Sequence, residues 1–127
     1  MYPGSFDSEK LKQYLANGLL PEALDQLQDA VKTDEFNPSV RAALGEVLFR
    51  SKRYDDAAHQ FDVTRKLASQ LWQVTERLGD AYWKIWETRR DLSARVSAYK
   101  AYEEIGLFQT NQKSDSDVDA IADLLGW

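Results

Sequence analysis

Apolar residues recur along the chain at spacings of three and four, which is the period of an amphipathic α-helix. This pattern predicts six helices between residues 8 and 105, separated by short polar turns. The predicted helices begin close to Ser8, Pro21, Pro38, Tyr54, Ser69 and Asp91. Asn37 followed by Pro38 is the clearest start, because asparagine favours the N-cap and proline favours the first helical position.

A seventh, short helix is predicted after the sixth, which should stop at Gly106. The segment between them is polar and turn-like, and Asp115 or Ser116 is suited to cap the last helix. The apolar face of this helix consists of Val118, Ile121, Leu124 and Leu125. We expect the helix either to cap the helical array within the same chain or to dock on another protein or a second copy.

The sequence repeats itself at an interval of 34 residues. The pairs that establish the interval are Ala23 and Ala57, Leu27 and Phe61, Leu44 and Leu78, and Gly45 and Gly79. A helix–turn–helix period of this length predicts an α-solenoid, in which each helix pair buries apolar surface against the next pair. Gly45 lies inside a helix, where glycine costs about 1 kcal/mol relative to alanine, so we expect a close helix crossing there.

These residues resemble the tetratricopeptide repeat (TPR) family, whose pattern is an aromatic residue, then Leu-Gly, Tyr, Ala, Phe and Ala. The resemblance implies an all-α, right-handed α-solenoid of three helix–turn–helix repeats plus a C-terminal capping helix, in one domain over residues 1–127. Repeat one is expected over about 4–37, repeat two over 38–71 and repeat three over 72–106. A linker and the capping helix should follow over 107–127.

The third repeat departs from the family pattern. Gly79 precedes Tyr99, the aromatic residue that best fits its partner column, by 20 residues, whereas the same interval in repeat two is 16. The difference is about one helical turn, which predicts an extended first helix in repeat three. The alignment then places Arg95 and Tyr102 in columns that normally hold alanine, so this repeat is expected to be an atypical terminal repeat.

The resemblance also implies a function. In this family the first helices of successive repeats line a concave groove in which partner peptides dock. The residues that fall on the groove are Lys12, Glu46, Phe49, Arg50, Gln73, Glu76, Arg77, Asp80, Trp83 and Lys84. We therefore expect a scaffold or adaptor that binds a protein or peptide partner and performs no chemistry. The alternative interpretation is a solvated face on which Glu46–Arg50 and Glu76–Asp80–Lys84 form surface ion pairs.

One known use of the groove can be compared with the residues present. Family members that hold the C-terminal carboxylate of heat-shock chaperones use five positions, which bear lysine, asparagine, asparagine, lysine and arginine. The residues at those positions are Ser8, Lys12, Ala43, Gln73 and Arg77, and only Arg77 agrees with the family. A carboxylate clamp is therefore not expected.

Three tryptophans lie close together in the fifth predicted helix. Trp72 is expected in the core, whereas Trp83 and Trp86 are predicted either to pack within the enlarged third repeat or to form an exposed patch. The exposed patch provides an alternative function. In that alternative the chain is a self-associating structural subunit, and a homodimer forms through the tryptophan-rich fifth helix or the acidic last helix.

Composition restricts the remaining possibilities. The 127 residues carry a net charge of -5, so nucleic acid is not expected as a partner. The sequence has no cysteine and a single histidine, His59, so we expect no metal, no cofactor and no catalytic site. No apolar run reaches the length needed to span a membrane, and the first residues do not resemble a signal peptide, so the default expectation is a cytoplasmic location.

Overall fold

A computed structural model describes residues 7–68, 71–111 and 123–127. Within these ranges the chain forms six α-helices and no strand, which confirms the all-α prediction. The helices are α1 (Ser8–Ala16), α2 (Leu20–Thr33), α3 (Pro38–Arg50), α4 (Tyr54–Leu67), α5 (Trp72–Arg89) and α6 (Leu92–Asn111). None of the helices in the described ranges is long and apolar enough to cross a membrane.

Side-chain caps fix the starts of two predicted helices. Asp7 Oδ1 accepts a hydrogen bond from the Lys10 amide at 3.1 Å, and Asn37 Oδ1 accepts one from the Ser39 amide at 2.9 Å. These bonds satisfy amide groups that have no partner inside the first turn of a helix. Between α3 and α4, Lys52 adopts the left-handed conformation with a φ of 63°, which allows a three-residue turn.

Each helix packs mainly against the helices before and after it, so three helix–turn–helix pairs stack in the order of the sequence. The pairs share one apolar core, because no single pair can bury both of its faces. Fully buried members of that core include Leu11, Ala23, Leu27, Val40, Val47, Ala57, Phe61, Val74 and Ala81. Leu125, near the end of the sequence, is buried in the same core.

Two glycines allow an aromatic ring of the second helix of a pair to contact the first helix. A Cβ atom on Gly45 would lie 2.7 Å from the Phe61 ring, and one on Gly79 would lie 2.7 Å from the Tyr102 ring. The close crossing predicted at Gly45 is therefore confirmed. The alignment of Tyr99 with Phe61 is wrong, because Tyr102 occupies the equivalent position.

Repeat three is consequently longer than the alignment predicted. Ten residues of α5 follow Gly79 and ten residues of α6 precede Tyr102, so the insertion is divided between both helices. The extension of the first helix is confirmed, since α5 has 18 residues and α3 has 13. The alanine column is retained at Ala98, which is fully buried, whereas Arg95 is exposed. The assignment of Arg95 and Tyr102 to alanine columns is thus wrong.

The end of the sixth helix also differs from the prediction. α6 continues through Gly106 to Asn111, because Gly106 keeps helical backbone geometry, whereas Gly18 after α1 has a φ of 69°. A glycine ends a helix through the left-handed conformation and not through its presence alone. At the start of α5 the first helical residue is Trp72, and the predicted cap Ser69 lies outside the described residues.

The end of the sequence packs on the face formed by the first helices of the pairs. Residues 123–125 are helical, Leu125 is buried and Leu124 is half-buried. Their polar contacts are with α1 and α3, within the same chain. Val118 and Ile121, which belong to the predicted last helix, lie outside the described residues.

We predict that Gly45→Ala and Gly79→Ala each lower the free energy of unfolding by about 1–3 kcal/mol, since the added methyl group overlaps an aromatic ring. Gly106→Ala is the matched control, because a Cβ atom there meets nothing within 4 Å. This control should be neutral or should stabilise the chain by up to about 1 kcal/mol. Urea denaturation followed by circular dichroism measures all three variants. Wild-type stability of Gly45→Ala would contradict the crossing.

Candidate functional site

A buried carboxylate lies at the centre of the predicted groove. Glu46 on α3 is fully buried, and its Oε2 accepts hydrogen bonds from Arg50 Nε at 3.1 Å and from Arg77 Nη2 at 2.9 Å. Its Oε1 accepts a hydrogen bond from Trp127 Nε1 at 3.1 Å. A buried charge without partners costs several kcal/mol, so these three donors are what makes the burial of Glu46 possible. The contact joins α3, α5 and the end of the sequence.

Arg77 connects repeats two and three on this face. Its guanidinium group stacks on the Phe49 ring at 4.9 Å, and its Nη1 lies 3.5 Å from Asp80 Oδ2. The Phe49 ring also packs edge-on against Tyr54, with the ring centroids 5.3 Å apart. One arginine side chain therefore contacts a buried carboxylate, an aromatic face and a second carboxylate at the same time. Arg77 and Phe49 thus contribute to the stacking of the repeats.

Residues 123–127, which we call the tail segment, lie against the same face. Arg50 Nη2 donates a hydrogen bond to the main-chain carbonyl of Leu125 at 3.2 Å. Lys12 Nζ on α1 lies 3.3 Å from Asp123 Oδ2. The Trp127 ring lies against Phe61, with a centroid distance of 6.2 Å. The tail segment is therefore held by α1, α3 and α4 through ionic, main-chain and apolar contacts.

The other predicted groove residues lie on α5. Gln73 Oε1 is buried and accepts no hydrogen bond from the described residues, while Glu76 is exposed. Trp83 is half-buried and packs edge-on against Tyr99, with the ring centroids 5.9 Å apart. Lys84 pairs with Glu87 at 3.5 Å, so the predicted Asp80–Lys84 ion pair is wrong. This half of the face is not in polar contact with the tail segment in the described residues.

Asp80 has a partner on α6. The Tyr102 hydroxyl donates a 2.6 Å hydrogen bond to Asp80 Oδ1. The pKa of Tyr102 is raised well above its usual value, mainly by burial of the side chain and to a smaller extent by this hydrogen bond. A tyrosine hydroxyl is protonated at neutral pH in any case, so Tyr102 is the donor of this hydrogen bond. Asp80 is fixed by Tyr102 and Arg77, which ties the groove side of α5 to α6.

The interpretation of this face as a solvated surface requires correction at Glu46. The charge pair Glu46–Arg50 exists, but Glu46 is fully buried, so the interpretation of this pair as a solvated surface contact is wrong. Arg50 and Arg77, which the resemblance places on the groove, both donate hydrogen bonds to Glu46. Trp127 was not predicted in the site, because its contact with Glu46 spans 81 positions and no local pattern reports such a contact.

The second predicted surface, which comprises Trp86 and the apolar face of the last helix, differs from the groove in its contacts. Trp86 is half-buried, with the guanidinium groups of Arg90 and Arg95 at 5.3 Å and 5.2 Å from its ring. Next to it on α6, an apolar stripe is exposed at one helical face and consists of Leu92, Val96 and Tyr99. Leu124 and Leu125, which were also assigned to this surface, belong to the tail segment and pack in or against the core. Val118 and Ile121 lie outside the described residues.

Solved TPR structures resemble the chain over nearly its whole length. The first TPR domain of Spaghetti (RPAP3), solved with the HSP90 peptide SRMEEVD, aligns with a TM-score of 0.69 and 21% sequence identity. The alignment covers 94% of this chain and 90% of that one. The Sgt2 TPR domain from Aspergillus fumigatus aligns with a TM-score of 0.66 and 20% identity, over 94% of this chain and 76% of that one.

No protein-family model and no curated protein sequence matches the chain. The fold of the chain is therefore assigned from its three-dimensional structure. The helix pairs, the 34-residue period and the two structural neighbours agree with one another. The chain has the fold of a tetratricopeptide-repeat domain.

Proposed function

We propose that the chain is a protein-interaction module that binds a peptide segment on the concave face formed by α1, α3 and α5. The observation that carries the proposal is that the tail segment already lies on this face. It is held there by Lys12, by Arg50 and by the buried carboxylate of Glu46. A face that accommodates five residues of one peptide segment has the shape and the donors needed to hold another.

The groups on this face suit recognition of a peptide. Arg50 donates to a main-chain carbonyl, a contact that any peptide sequence can provide. Glu46 accepts a hydrogen bond from a side-chain N–H. The buried site that Leu125 occupies selects for an apolar side chain. On α5, the half-buried indole of Trp83 extends the surface beyond the tail segment. Indole and guanidinium groups of this kind dominate the energy of many interfaces.

The HSP90 peptide of the RPAP3 complex is not the partner that we propose. The positions that would hold a terminal carboxylate bear Ser8, Lys12, Ala43, Gln73 and Arg77. Ala43 is fully buried, and Arg77, the one residue that matches, already donates to Glu46. An acidic peptide end would therefore find less positive charge here than the clamp requires.

The class of partner, the lack of catalysis and the location remain predictions. The net charge of -5 favours a protein partner over nucleic acid. We also propose that the module acts without catalysis and without a cofactor, as the similar RPAP3 domain was solved with a bound peptide. The cytoplasmic location remains the expectation from the sequence.

Self-association is the second candidate function, and one specific observation favours it. Leu92, Val96 and Tyr99 are 65%, 51% and 49% exposed, and they lie on one face of α6, where a following repeat would stack in a longer solenoid. We propose that a second copy of the chain can cover this stripe. Trp86 is a weaker anchor, because Arg90 and Arg95 already stack against its ring.

The groove proposal predicts which variants lose a bound peptide. Peptides are selected from a random display library on the immobilised chain, and their affinities are measured by fluorescence anisotropy. Trp83→Ala and Lys84→Glu should each weaken binding by about tenfold or more, because they alter the uncovered part of the groove. Phe36→Ala is the matched control, since this aromatic side chain is 72% exposed in the turn between α2 and α3.

Circular dichroism melting verifies that each variant remains folded. Selected peptides that bind both α5 variants as tightly as the wild-type chain, or that bind less tightly only to Phe36→Ala, would place the binding surface elsewhere.

The self-association proposal predicts a mass that rises with protein concentration in light scattering coupled to size exclusion. Val96→Glu should abolish the rise, since it introduces a charge into the centre of the exposed stripe. Phe36→Glu, which charges an exposed apolar site away from α6, should leave it unchanged. A monomeric mass at every concentration would contradict this candidate.

A further inference from the structure

We infer that the tail segment is an intramolecular ligand of the groove, and that a partner displaces it by presenting the same recognition elements. Those elements are a leucine-like side chain and, two residues later, a tryptophan. The inference rests on the proposed function, because it names the chemistry of the peptide that the groove binds. It also adds regulation, since the part of the groove formed by α1 and α3 is covered by its own chain until the tail segment leaves.

The sequence of the tail segment is Asp-Leu-Leu-Gly-Trp, and its residues make distinct contacts. Leu125 is 1% exposed and packs in the shared core, which makes it the apolar anchor. Gly126 has a φ of 73°, a left-handed conformation that favours glycine. The chain turns at this residue and brings the Trp127 indole N–H to Glu46. The order Leu-Gly-Trp therefore matters, because the turn at Gly126 allows Leu125 to be buried while Trp127 reaches Glu46.

The remaining contacts of the tail segment are typical of a docked peptide. The Asp123 side chain is 79% exposed and its partner Lys12 is 41% exposed, so this ion pair adds little to stability. Arg50 binds a main-chain oxygen. Apart from the leucine and the indole, the segment is therefore attached through contacts that another peptide could replace one for one.

Glu46 determines which peptides can replace the tail segment. Its Oε2 is satisfied by Arg50 and Arg77, but Oε1 receives its hydrogen bond from Trp127. A partner that removes Trp127 without supplying another donor would leave a buried carboxylate oxygen unpaired, which is unfavourable. The groove therefore selects a peptide that carries a ring N–H at the tryptophan position.

The connection to α6 gives the tail segment an advantage over a free peptide. Eleven residues separate Asn111, the end of α6, from Asp123. A connection of this length holds the segment near the groove at an effective concentration on the order of millimolar. A free peptide of the same sequence consequently binds the intact chain only through the fraction of molecules in which the tail segment has left.

The test uses the full chain and a fluorescein-labelled peptide with the sequence of residues 119–127, DAIADLLGW. Leu125→Ala combined with Trp127→Ala removes both anchors from the tail segment and exposes the groove. Fluorescence anisotropy should then give an affinity at least tenfold higher for the double variant than for the wild-type chain. Trp127→Phe alone, which keeps a ring but removes the N–H, should give a smaller increase and is the substitute should the double variant not fold.

Three comparisons assign the binding to this site. In the double variant, Arg50→Ala should weaken binding of the labelled peptide by about tenfold, whereas Phe36→Ala, in the exposed turn between α2 and α3, should leave it unchanged. A peptide with phenylalanine in place of its tryptophan should bind about tenfold less tightly, because it has no N–H for Glu46.

Equal affinity of the wild-type chain and the double variant would overturn the inference, as would a peptide affinity that Arg50→Ala does not lower. A dimeric mass for the wild-type chain that the double variant lacks would also overturn it, because the tail segment would then dock on a second copy. Library peptides that still depend on Trp83 and Lys84 would, in each of these cases, leave the proposed function intact.

Discussion

The carboxylate of Glu46 is fully buried, and on the face formed by α1, α3 and α5 three hydrogen-bond donors converge on it. Arg50 provides one from the next turn of α3, and Arg77 provides another from α5. The third comes from Trp127 and draws the end of the sequence onto the face. Because the three donors come from three parts of the chain, one charge couples the stacking of repeats two and three to the position of the tail segment.

The same column of the repeat is used differently in each helix pair. Lys12, Glu46 and Asp80 are 34 residues apart and lie in succession on α1, α3 and α5. Lys12 pairs with the tail segment, Glu46 is buried beneath it, and Asp80 accepts a hydrogen bond from Tyr102 of α6. A regular backbone repeat therefore presents three different kinds of polar contact along one surface. Because of this variation, the two halves of the face differ in their chemistry.

The parts of the fold that depend on local patterns could be predicted from the sequence. The helix period, the cap at Asn37 and the close crossing at Gly45 are local or repeat every 34 residues, so the printed residues determine them. The equivalence of Tyr102 with Phe61 could not be predicted in this way, because the extra residues of repeat three are divided between α5 and α6. An alignment that adds a single helical turn cannot represent such a division.

The site was harder to predict than the fold, for a physical reason. A glutamate on a groove column is ordinarily solvated, and nothing near Glu46 in the sequence signals that a tryptophan 81 residues later covers it. The predicted groove residues lie on α1, α3 and α5 as the repeat pattern required, but whether each one faces solvent or another side chain depends on tertiary contacts. Arg77 illustrates this, since its partners belong to α3 as well as α5.

The Trp127 indole is bound to Glu46 within one chain. The most direct measurement is hydrogen exchange of the four indole N–H groups in a two-dimensional proton–nitrogen NMR spectrum, with Trp127→Phe used to identify the Trp127 signal. The expectation for a bond within one chain is that this N–H exchanges slowly and that its signal shifts in Glu46→Gln. Exchange at the rate of a solvent-exposed indole, with a signal that Glu46→Gln does not move, would contradict it.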